Sequence, residues 1–185
     1  MAQATRETDT REVQVPEGAV RRLALRFGLA AGLACVLWMV GLQLAGSNGF
    51  GPKQIMAQLL VPLAALAAEW LLRKKAKPHK PGLGNSLGVG TLTVLLAALL
   101  SAAGVLGLAY GAGEPAVARH RAEVREIVQA QQRENPQVKM PAALREQQIN
   151  QVQQLTVANM ATSNFMQVLV LGLVLAIPMG IFLRE

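Results

Sequence analysis

Four blocks of apolar residues divide the chain, and each is long enough for a helix to cross a bilayer. They run over about 24–45 (ALRFGLAAGLACVLWMVGLQLA), 54–72 (QIMAQLLVPLAALAAEWLL), 87–110 (LGVGTLTVLLAALLSAAGVLGLAY) and 164–183. A hydrocarbon core about 30 Å thick takes about 20 helical residues. SNGFGP separates the first two blocks, RKKAKPHKPGLGNS the second and third, and GAGEP closes the third. Glycine, asparagine and proline end helices at such points. Pro62, midway along the second block, predicts a kink.

The polar segments carry a different periodicity. Residues 115–134 place Val117, Val124, Ile127 and Val128 on one side of a helix, which Pro115 can open. After NPQVKMP, Pro141 can open another helix, which carries a thin stripe of Leu144, Ile149, Val152 and Leu155 through REQQINQVQQLTVANM. No proline interrupts residues 142–177, so one helix is expected to run from Pro141 through the fourth span. Its polar part would reach about 35 Å beyond the bilayer at about 1.5 Å per residue. The two stripes facing each other predict a helical hairpin, and both make candidate interaction surfaces through Val124, Ile127, Ile149, Val152 and Leu155. The expected class is therefore all-α: a four-transmembrane-helix bundle with an extracytoplasmic helical hairpin between spans three and four.

Residues 1–19 are polar and lack an apolar face, which predicts a disordered cytoplasmic tail ahead of a membrane domain at 20–185. Arg21, Arg22 and Arg26 can snorkel to headgroups at the start of the first span. Composition agrees: 52% of the 185 residues are apolar and only 4% aromatic, as in closely packed membrane helices. The net charge of +7 does not signal nucleic acid, because the basic residues cluster beside the spans. Five lie in 1–26 and five in 73–80, against Lys53 alone in the 46–53 loop. That asymmetry predicts both termini in the cytoplasm of a bacterial inner-membrane protein, with 111–163 outside. The outer segment has six basic and five acidic residues, which nearly cancel, and many glutamines that keep a helix soluble without charge.

Candidate chemistry is sparse. Glu69 is the ionisable residue deepest in an apolar block, and a carboxylate at the bilayer centre costs roughly 3 kcal/mol even on lenient scales. Arg73 follows four residues later and Trp70 beside it, so an anchor paired in the headgroup zone competes with a functional carboxylate. Gln58 is the other candidate for a membrane-embedded role. Gln43, Gln58, Thr91, Thr93, Ser101 and Gln167 lie in or beside the spans and can join helices by hydrogen bonds. Gly28 and Gly32, and Ala97 with Ser101, have the spacing that lets helix backbones approach closely, within the bundle or between copies. Cys35 has no second cysteine and is expected to be a buried small hydrophobe. His79 and His120 lack partners at ligand spacing and are expected to be solvated, and GLGNSLGVG lacks the strand and the GK[ST] of a phosphate loop. No cofactor, metal or catalytic set is expected. A scaffold or accessory role, with a protein partner or a second copy, comes first; a small oligomeric transporter or channel using Glu69 and Gln58 is the alternative.

RFGLAAGL opening the first span, LRKKAKPHKPGLGNSLGVG leading into the third, and MPAALREQQINQVQQ feeding the last give a layout that resembles a known family. It is that of uncharacterised four-helix membrane proteins widespread in Bacteroidetes, a domain of unknown function. The resemblance covers roughly residues 20–185. It implies this topology and carries no activity with it.

Overall fold

The computed structural model describes residues 18–76, 81–134 and 141–182, with the side chain of Ala142 left aside. The expected disordered tail, the basic turn with His79 and the 135–140 connection lie outside the described residues. All regular structure described is helical, and four helices are long and apolar enough to cross a membrane.

Helix α1 covers Ala19–Leu44. A 3-10 turn at Pro52–Gln54 leads into α2, Ile55–Gln58, and α3, Leu60–Ala76. Leu59 interrupts these two, one turn before Pro62. Proline lacks the N–H that would bond the Gln58 carbonyl, and its ring crowds that carbonyl. The mark of Pro62 in the structure is this one-residue interruption on its N-terminal side, where Leu59 keeps helical angles and its N–H still bonds the Ile55 carbonyl at 3.0 Å.

Helix α4 runs over Leu83–Glu134 and departs from helical geometry only at Gly113 (φ 73°, ψ −177°). The left-handed φ suits glycine, and Pro115 follows where its missing N–H costs nothing. The break expected over GAGEP thus narrows to one residue, and the third span leads directly into the polar helix.

The opposite correction applies to the fourth span. Its predicted continuity fails, because α5, Ala142–Gln153, and α6, Val157–Phe182, are separate helices. Thr156 is the reason. Its hydroxyl accepts the Asn159 N–H at 3.1 Å, as an N-cap does three residues into a helix. Leu155 before the cap and Met160 after it join the same apolar cluster, a hydrophobic staple across the helix start. The freed Leu155 carbonyl accepts from Arg121 Nε at 2.9 Å.

The spans run alternately up and down. The cap end holds the 45–54 loop, the distal part of α4, α5 and the start of α6. The base end holds the start of α1, the end of α3, the start of α4 and the end of α6. Helices α3 and α4 pack on each other and on both α1 and α6. Close approach rests on small residues. A Cβ on Gly28 would lie 2.8 Å from Leu96 Cβ, and one on Gly32 2.8 Å from Leu100 Cβ. Three apolar clusters stack along the bundle, and the middle one contains Val61, Ala65, Val94, Ala97, Ala98 and Val168, all wholly buried.

Candidate membrane-embedded carboxylate site

Along α3 the buried positions recur with helical period: Val61, Pro62, Ala65, Ala68, Glu69 and Leu72. Glu69 belongs to this inward face and is 0% exposed. The expected headgroup anchor is therefore not formed. Trp70 is 47% exposed, with Lys74 Nζ 3.6 Å from its ring centroid, so the outward-facing aromatic takes a cation on its own side. A step of about 100° around the helix turns Glu69 away from both. Neither Glu69 oxygen has a hydrogen-bond partner, and the expected pair with Arg73 does not form.

The carboxyl group fits where α4 and α6 carry glycine. A Cβ on Gly90 would run into Glu69 Oε1, and one on Gly180 would lie 3.4 Å from it. Ser86, one turn before Gly90 on the same face of α4, also has a fully buried hydroxyl without a partner. Gln58 lies on the Glu69 side of the α2–α3 segment, about 16 Å nearer the cap by helical rise. It is buried and its Oε1 is unpartnered. The middle apolar cluster fills the interval.

At the cap end Ser101, Asn164 and Gln54 satisfy one another in a chain of hydrogen bonds. Ser101 Oγ donates to Asn164 Oδ1 at 2.8 Å, Asn164 Nδ2 donates to Gln54 Oε1 at 2.9 Å, and Gln54 Nε2 donates to the Gly49 carbonyl at 2.7 Å. Neutral amides and hydroxyls can be buried in this way because every strong group finds a partner. Thr93 instead bonds the Val89 carbonyl of its own helix at 2.7 Å, while Thr91 and Gln167 are exposed. Gln43 accepts the Gly49 N–H at 3.2 Å. Cys35 is buried, its Sγ 3.6 Å from the Ala57 carbonyl.

His120 is not the solvated side chain expected. It is half-buried, with its ring tilted against Phe50 at 5.8 Å. Asn48 Oδ1 accepts the Phe50 N–H at 2.9 Å, which turns Asn48 Nδ2 toward His120 Nδ1 at 3.1 Å and Glu123 Oε2 at 2.6 Å. An amide nitrogen only donates, so Nδ1 accepts and the ring proton sits on Nε2. Burial holds the His120 pKa below its usual value against the opposing pull of Glu123. The Asn48 hydrogen bond, and then Arg119, hold the Glu123 pKa down against its own desolvation.

A cavity of about 210 Å³ opens beside this network. Phe50, Gln54, His120, Val124, Leu155 and Asn164 are among its walls, so two of the expected stripe residues meet there. Val152 is buried, Ile149 half-buried and Ile127 exposed. Between α4 and α5, Gln132 Nε2 donates to Gln148 Oε1 at 3.0 Å. Among the described residues no group of three His, Cys, Asp or Glu is placed to hold a metal.

Gly90, Gly180, Ser86, Gln54 and Asn164 carry no mark in the sequence of the places they take in the fold. Glycine and serine in small-residue spans look alike whether they pack on leucine or on a carboxylate, so no local signal marks the first three. Asn164 stood at the polar border of the last span, where one more amide attracts no attention.

No curated protein and no solved structure matches the chain. A family model described as Protein of unknown function (DUF4199) matches residues 26–185. With that match running from the first span to the last residue, the chain belongs to this family of unknown function.

Proposed function

We propose that the chain is a non-enzymatic, multi-pass protein of the bacterial inner membrane that works as a small ion-coupled transporter or channel around Glu69 and Gln58. Both termini and the base end face the cytoplasm in this reading. The distal part of α4 and α5 form a helical hairpin outside. The clustering of Lys and Arg at 1–26 and 73–80 supports the orientation. The resemblance to Bacteroidetes proteins supports the bacterial placement.

One observation carries the reading. Glu69 is fully buried among membrane helices with both oxygens unpartnered. An unpaired charge there would cost several kcal/mol, so a neutralising proton or cation belongs to the site. A residue that exists only for packing would not be a carboxyl group. Flux in proteoliposomes tests this: transport by the wild type that disappears in Glu69→Gln supports it, and flux that is absent or unchanged contradicts it.

A scaffold or accessory role is the second reading, favoured by the exposed surface of the polar arms. Leu144 is 48% exposed and Ile127 44%, on helices otherwise lined with polar groups. Capture of a defined partner or a second copy in mild detergent, lost when 118–153 is replaced by a short linker, would support it. Association that survives the replacement would contradict it.

A further inference from the structure

The ion at Glu69 can be identified from what surrounds it. Hard metal cations take about six or more oxygen ligands. Here Glu69 Oε1 stands against Gly90 of α4 and 3.4 Å from where Gly180 of α6 would carry a Cβ, with the Ala176 methyl also against Gly90 and the Ser86 hydroxyl one turn away on α4. The packing is tight enough that a single methyl on Gly90 would collide with the carboxylate. A proton needs neither space nor a coordination shell.

The direction of exchange follows from depth. Glu69 lies seven residues, about 10 Å, from the end of α3 at Ala76. Ser86 is three residues into α4, and Gly180 is two residues before the last described residue of α6. Toward the cap end stand the wholly buried Val61, Ala65, Val94, Ala97, Ala98 and Val168, and the buried Thr93 hydroxyl beside them is bonded to the Val89 carbonyl of its own helix. Among the described residues the base side offers the shorter polar approach, and the orphan Ser86 hydroxyl stands on it.

Charged neighbours do not replace the proton. Helix α6, and α4 from Leu83 to Ala109, contain no ionisable side chain. On α1, Arg21, Arg22 and Arg26 are exposed, and on α3, Lys74 and Lys75 are exposed while Arg73 makes no bond to Glu69. Arg184, Glu185 and the 77–80 turn lie outside the described residues.

We infer that Glu69 is a single-proton site, cradled by Gly90 and Gly180, that in this conformation exchanges its proton with the base side of the membrane past Ser86, with access from the cap end requiring α4 and α6 to rearrange. This rests on the proposed role of Glu69 and names its ion and its side. Loss of the proton leaves a bare charge between α4 and α6, so binding and release change how those two helices meet at the base.

The test uses the full-length protein in proteoliposomes of known orientation, with pH clamped separately on each side. A hydrophobic carbodiimide, which reacts with the protonated carboxyl group, is followed by intact mass, and the carboxylic-acid stretching band by infrared spectroscopy. Both signals should vanish in Glu69→Gln. In the wild type both should fall tenfold per pH unit above one midpoint, follow the pH on the side of residues 73–85, and stay unchanged with added sodium or potassium chloride. Gly90→Ala, which presses on the carboxyl group, should shift the midpoint. Protection by sodium or potassium at constant pH would overturn the proton assignment, and signals that follow the opposite side would overturn the route. An infrared band indifferent to pH on both sides, or no Glu69-dependent band at any pH, would overturn the site. A titrating Glu69 without any flux would leave the proton site standing and remove the transport reading.

Discussion

Glu69 Oε1 occupies the space where residue 90 would carry a Cβ, so the carboxyl group and Gly90 fit only together. The relationship ties a chemical group on α3 to a missing side chain on α4. It makes the pair, rather than either residue, the unit to perturb. Gly90→Ala is expected to destabilise the protein in detergent by about 1–3 kcal/mol, the usual range for overpacking. In Glu69→Ala the same change should cost much less, and thermal unfolding of the four variants measures that coupling. Additive effects would contradict the contact.

At the cap end, Asn164 joins Ser101 to Gln54. Asn164→Ala orphans a hydroxyl and an amide oxygen together, and is expected to cost roughly 1–3 kcal/mol. Ser101→Ala should cost less, about 0.6 kcal/mol, the average for one hydrogen bond between membrane helices. Equal losses in chemical or thermal unfolding would contradict the chain of bonds.

How much of this was legible in the sequence follows from the kind of signal. Span number and order were readable because a run of apolar residues is a long-range average that no single neighbour can reverse. Breaks were less readable, since they turn on one residue. Gly113 absorbs a turn that looked five residues wide, and Thr156 ends a helix whose composition continues unbroken. The environment of Glu69 was the least readable. Pairing with Arg73 and burial against Gly90 are both compatible with the local sequence, and the choice depends on rotating α3 by a fraction of a turn. Asn48 and His120 lie 72 residues apart and meet only through the fold.

Thr156→Ala removes the cap of α6 and is expected to lower stability by about 1 kcal/mol, whereas Thr156→Ser keeps the acceptor and most of the stability. Hydrogen exchange at Val157–Met160 should rise in the alanine variant alone.

The cap network carries a pH dependence with a defined sign. His120 titrates below its ordinary value of 6.5 in the fold, so the unfolded chain binds more protons as pH falls through that value. Stability is therefore present above pH 6.5 and declines as pH falls below it. Glu123, also lowered, contributes stability above its ordinary value of 4.5 that is lost on further acidification. The thermal midpoint of the wild type should fall from pH 7 to pH 5, and His120→Gln should flatten that fall. An identical slope in the variant would exclude His120 as its source.

Gly28→Val and Gly32→Val should each disturb the α1–α4 contact through Leu96 and Leu100, with a loss of roughly 1–3 kcal/mol. Gly41→Ala, with open space around its Cβ position, serves as the control. A change of oligomeric state without loss of stability would place the two glycines between copies instead.

A buried Glu69 that binds a proton and passes it across the bundle dissipates a pH difference between the two faces of the membrane. Collapse of an imposed pH gradient in proteoliposomes, read with an enclosed pH dye, tests it most directly. Wild-type protein should collapse the gradient at least tenfold faster than Glu69→Gln, with the variant at the rate of protein-free liposomes. Equal rates in the two proteins would contradict the account.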